Sequence, residues 1–118
     1  MPNPASAGFF IWCTMGNIRS VVYVAGPMTG YESYNRPAFK AAADRLATHG
    51  HIVLNPAVMP LGLSEASYMC IALAMLQQAD IIYLLDGWQL SKGAQAEYSL
   101  AVKLGLRVMA QNSADDNL

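Results

Sequence analysis

The chain has 118 residues, 54% of them hydrophobic and 13% charged, with a formal net charge of −1. This composition excludes a disordered chain and bounds the protein to one compact domain with a single core. It argues against binding to polymeric nucleic acid, because Arg19, Arg36, Lys40, Arg45, Lys92, Lys103 and Arg107 are scattered and make no basic stripe. The cysteines, Cys13 and Cys70, form no disulfide framework, and no Cys/His cluster has zinc spacing, so no metal and no cofactor is expected.

Residues 1–14, MPNPASAGFFIWCT, read as an N-terminal extension, poorly ordered or resting on a neighbouring subunit, ahead of a single domain at 15–118. Phe9–Trp12 is too short to cross a bilayer, and no basic region precedes it as in a secretory signal. A cytoplasmic protein without a membrane partner is therefore expected. Val21–Ala25 is the first strand, ended by the turn Gly26-Pro27-Met28-Thr29-Gly30. Small residues there let a ligand approach the backbone, although an ordinary strand-to-helix turn would use them too. Asn35 is expected to cap the helix that Arg36-Pro37 begins, since Pro suits the first turn. Phe39, Ala42, Ala43 and Leu46 give that helix its buried stripe, and Gly50 stops it. His49 and His51 flank Gly50, where a helix-terminal role fits them better than a metal pair.

Ile52–Leu54 is the second strand, closed by Asn55-Pro56. Ser64 caps a helix running to about Gln78. Met69 to Leu76 is apolar without interruption, so this helix must be covered on more than one side. In so small a domain the second cover is expected from another subunit, giving a homo-oligomer, dimer or larger, through residues 65–78. Cys70 then reads as a buried thiol.

Ile81–Leu85 forms a strand covered on both faces, and Asp86-Gly87-Trp88 breaks it. Ser91 caps the next helix and Gly105 closes it. A rotation of about 100° per residue puts Gln95, Ser99 and Lys103 on the wet side and Ala94, Ala101 and Leu104 opposite. Glu97 lies about 160° from the centre of the polar stripe, among the core-facing residues. A carboxylate there costs free energy unless it is paired. It is either a residue at the stripe's edge, snorkelling to water or bonded to a buried Tyr, or a carboxylate lining a cleft at the carboxyl ends of the strands. Leu106–Ala110 is the last strand, and Gln111–Leu118 is polar and expected to fray. The alternation predicts an α/β three-layer sandwich, flavodoxin-like or Rossmann-like, with four or five parallel strands.

Four segments carry a resemblance: Tyr23 through Gly30, Asn35 through Phe39, Asn55-Pro56-Ala57, and Gly87-Trp88 through Ser91–Glu97. In order and spacing they are similar to the nucleoside 2-deoxyribosyltransferase-like superfamily. They most resemble an uncharacterised family within it that is common in phages and prophages. The resemblance implies that Glu97 attacks the anomeric carbon of a nucleoside or nucleotide, with Tyr23 holding the carboxylate. It implies substrate-binding positions on three loops: Gly26, Pro27 and Thr29 after the first strand, Asn35 and Arg36 before the first helix, and Trp88, Ser91 and Gly93 ahead of the last helix. Ser91 and the amides near Gly93 match a segment that holds a 5′-phosphate or 5′-hydroxyl in relatives. Trp88 would either stack on a base or, as is more usual, pack at its loop. Active transferases carry an Asp on the preceding helix; here that stretch is Cys70–Ala74 and has no acid. Asp86, at a strand's carboxyl end, stands as the candidate for that work, and Asp80 reads as structural.

The expected function is an N-glycosidic hydrolase or deoxyribosyltransferase working through a covalent glycosyl-Glu intermediate. The alternatives are a non-catalytic nucleotide-binding module and an oligomeric interaction protein.

Overall fold

The computed structural model describes residues 19–112. The expectations for residues 1–14 and for the tail beyond Asn112 lie outside them. The described residues form four strands and three α-helices: β1 (Val21–Ala25), α1 (Arg36–Thr48), β2 (Ile52–Leu54), α2 (Glu65–Leu76), β3 (Ile81–Leu84), α3 (Lys92–Leu104) and β4 (Arg107–Ala110). Short 3-10 turns at Glu32–Asn35, Pro56–Val58 and Trp88–Leu90 fill the connections.

All strands pair in parallel, in the order β2-β1-β3-β4. The inner strands are the two apolar runs: every residue of β3 is buried, as is all of β1 except Val21. Alternate side chains serve opposite faces. Val22, Val24, Ile81 and Tyr83 meet Phe39, Ala42 and Leu46 of α1. Tyr23, Ala25, Ile82 and Leu84 meet Ala72 and Leu76 of α2 and Ala101 of α3. The result is the expected α/β sandwich, with four strands. At the lower end, Asp80 Oδ2 accepts from Val21 N at 2.9 Å, tying the entries of β1 and β3.

The chain leaves β1 for β2 on one side and later returns to β3 on the other. The order therefore reverses between β1 and β3, and a crevice opens above the carboxyl ends at that point. Gly26 lines it and packs on Leu85 behind. A Cβ on Gly26 would come within 2.8 Å of the Leu85 Cβ. The glycine expected to admit a ligand is thus required by close packing of the two strand ends.

Several local expectations are corrected. Asn35 does not cap α1 with its side chain: its backbone is left-handed (φ 59°), and its Nδ2 donates to Pro27 O at 2.9 Å instead. Leu104, the last residue of α3, is exposed and not part of the buried side formed by Ala94, Glu97 and Ala101. Cys70 is exposed, because α2 turns Ala72 and Leu76 to the sheet and Cys70, Ile71 and Ala74 away from it. Ser64 and Ser91 do cap their helices, accepting from Ser67 N at 3.1 Å and Ala94 N at 3.2 Å. His49 is the C-cap of α1, its Nδ1 2.8 Å from Arg45 O. Among the described residues, no helix is long and apolar enough to cross a membrane.

Candidate active site

Glu97 sits on the second turn of α3, and it is the buried charged residue among those described, 7% exposed. The helix start is fixed by the Ser91 cap, and Ala94 and Ala101 press the same side of α3 against the sheet. Glu97 lies between them in sequence and on that side, so its carboxylate is carried inward. Tyr23, wholly buried in β1, donates its hydroxyl to Glu97 Oε2. Both sequence readings of Glu97 are therefore partly right: it is bonded to a buried Tyr, and it also lines a cavity.

Burial raises the Glu97 pKa to about 7, and the Tyr23 hydrogen bond pulls against that rise. The Tyr23 phenol is pushed far up, first by burial and then by the charge and hydrogen bond of Glu97, so it remains a donor. Near neutrality Glu97 thus exists in both forms, while Tyr23 holds its rotamer.

The cavity, about 920 Å³, lies over the β1–β3 reversal. Gly26, Met28 and Thr29 enter from the loop after β1, Tyr34, Arg36 and Phe39 from the start of α1, and Pro56, Met59 and Leu61–Leu63 from the loop after β2. Glu65, Ala66, Tyr68, Met69 and Ala72 of α2 form one wall, and Ser91–Ala94 with Glu97 form the other. Apolar walls with a few polar groups are typical of small-molecule sites. Gly93 keeps the first turn of α3 close to α2, where an added Cβ would lie 3.4 Å from Met69 Cε.

Two segments shape the mouth. Ser33, Tyr34 and Asn35 are consecutive left-handed residues, with φ of 53°, 54° and 59°. Each such non-glycine residue costs about 1–2 kcal/mol. Tyr34 N donates to Tyr31 O at 2.9 Å, and the Asn35–Pro27 bond closes the turn, presenting Tyr34 to the cavity. The second segment, after β2, is tied by Arg36 Nη2 to Met59 O at 2.9 Å and by the Tyr68 hydroxyl to Pro60 O. Arg36 Nε is buried with no hydrogen-bond partner in the structure, which leaves one guanidinium donor to spare beside the cavity.

Of the residues singled out from the sequence, Glu97, Gly26, Thr29, Arg36, Ser91 and Gly93 line this cavity, and Tyr23 reaches it through Glu97. Pro27 and Asn35 lie behind it and brace the loop. Trp88 packs on Tyr98 (ring centroids 4.8 Å apart, planes at 40°) and is not in the lining. Asp86 is exposed and turned away: its carboxylate accepts from Asn112 Nδ2 at 2.7 Å, and its own amide donates to Gln111 Oε1 at 3.0 Å. Tyr34, Glu65, Tyr68, Met69 and the Met59–Leu63 loop were missed. Glu65 and Met69 share one side of a helix with Ala72 and Leu76, but the apolar run left that side unmarked.

Residues 20–110 match the family described as Domain of unknown function (DUF4406). The chain belongs to this family. The DUF4406 match runs from just before β1 to the end of β4, and so takes in the whole sheet and every residue lining the cavity. No curated protein matches the chain.

Proposed function

We propose that this DUF4406 chain cleaves the N-glycosidic bond of a nucleoside or nucleotide, hydrolysing or transferring the sugar through a glycosyl ester on Glu97. The observation that carries this reading is a buried carboxylate, held by Tyr23, that opens on a largely apolar cavity at a topological switch point. The resemblance to nucleoside 2-deoxyribosyltransferases supports the same assignment. A carboxylate nucleophile needs a fixed rotamer and a dry approach to an oxocarbenium-like carbon, and burial beside Tyr23 supplies both. The first turn of α3, with Ser91, Lys92 and Gly93 in the cavity wall, suits a 5′-hydroxyl or 5′-phosphate. The test is to incubate the protein with a panel of nucleosides and 5′-monophosphates and follow free base. Base released by the wild type and lost in Glu97→Ala is the expected result. Tight nucleotide binding without release from any substrate would favour a non-catalytic binding module.

The cytoplasm is the proposed location, and a second copy of the chain is the proposed cover for the outer side of α2, where Cys70, Ile71 and Ala74 are exposed. Sedimentation should show a dimer or larger assembly that Ile71→Glu dissociates; a monomer at micromolar concentration would contradict it.

A further inference from the structure

Breaking an N-glycosidic bond leaves an electron pair on the base nitrogen, and a base leaves readily only when it is protonated. Glu97 cannot meet that need while it is the nucleophile, and Asp86 faces Asn112 outside the cavity. Among the described residues lining the cavity, the carboxyl groups are those of Glu97 and Glu65. Glu65 opens α2 directly after the Ser64 cap. It stands at i, with Met69, Ala72 and Leu76 at i+4, i+7 and i+11, on one side of the helix. Ala72 and Leu76 of that side are buried against the sheet, while Met69 and Ala72 line the cavity. The sheet-facing side of α2 therefore runs past the strand ends and carries Glu65 over the crevice, on the wall opposite Glu97.

We propose that Glu65 is the general acid for the leaving base, an assignment that rests on the N-glycosidic reaction above. As a Glu97 oxygen bonds to C1′, the C1′–N bond breaks and its electron pair stays with the base. The Glu65 carboxyl gives its proton to the base. In the second half, water adds at C1′, Glu65 carboxylate takes the water's proton, and the ester to Glu97 breaks. Nucleoside and water become free sugar and free base, and both carboxyl groups return to their starting forms. A base seated against Tyr68 and Met69 would lie beside Glu65 in the same wall. A first-turn Glu also suits the helix dipole, but that effect is blind to the leaving group.

The experiment compares wild type and Glu65→Gln on a cleavable nucleoside and on the nitrophenyl glycoside of the same sugar, whose leaving group needs no proton. Glu65→Gln should lower kcat on the nucleoside about 100-fold or more, and leave the nitrophenyl glycoside within about twofold. Equal losses on both substrates, or no loss on either, would overturn the assignment to Glu65 while leaving the reaction standing. A wild type that cleaves neither substrate would overturn the reaction itself, and this assignment with it.

Discussion

Two tyrosines stand on neighbouring inner strands with their rings on opposite faces of the sheet, and both are almost completely buried. Tyr83 accepts from Arg45 Nη1 at 3.0 Å, near the end of α1, where Arg45 is only half-buried. Tyr23 donates to Glu97, whose carboxylate is buried and has its pKa raised to about 7. The first pair closes a core at little cost, because its charge keeps access to water. The second holds a carboxylate where its charged form is disfavoured, beside a cavity. Buried polar groups on the two faces thus serve different ends, and the costly arrangement marks the site.

The comparison breaks most sharply on removal of the carboxylate. Glu97→Ala should lower base release on the order of 10³-fold or more with the fold retained, as read by steady-state assay and circular dichroism. Tyr23→Phe keeps the ring and deletes one hydrogen bond to a charged group, which is worth about 1.5–3 kcal/mol. Activity at neutral pH should fall about 10- to 100-fold by the same measure. Because that bond lowers the Glu97 pKa, its loss should also move the acidic limb of kcat/KM to higher pH.

Stability should respond in the opposite sense. The Glu97 pKa is raised in the folded state, from 4.5 to about 7, so its contribution to stability is fully present below 4.5 and is lost as pH rises through 7. Thermal melts of Glu97→Gln and wild type should coincide at low pH and diverge by on the order of 3 kcal/mol above pH 7, the variant being more stable. Equal differences at every pH would mean that the carboxylate is not strained by burial. On the other face, Tyr83→Phe should cost about 1 kcal/mol of stability in denaturant titration and leave base release unchanged. A loss of activity there would erase the distinction between the faces.

The fold was legible because its signals are local. The apolar runs of β1 and β3, the caps at Ser64 and Ser91 and the stop at Gly105 depend on short stretches of chain. Glu97 was legible for the opposite reason, since a carboxylate on a core-facing stripe contradicts its own surroundings. Glu65 was obscured by the apolar run Met69–Leu76 in the same helix: a helix apolar on all sides shows no stripe, so nothing marked which side of α2 meets the sheet. The left-handed turn at Ser33–Asn35 has no glycine to announce it and is held by Pro27 O, a partner eight residues back. Trp88 and Asp86 looked like site residues from their place after a strand. Their direction was decided by Tyr98, Gln111 and Asn112, whose positions come only with the tertiary structure.

The stereochemistry at C1′ tests the central claim most directly. With methanol competing against water for the glycosyl group, nuclear magnetic resonance of the methyl glycoside reports its configuration. Two displacements through an ester on Glu97 predict retention of the β configuration of the nucleoside. A product of inverted configuration would mean that the acceptor attacks directly, and would contradict Glu97 as the nucleophile.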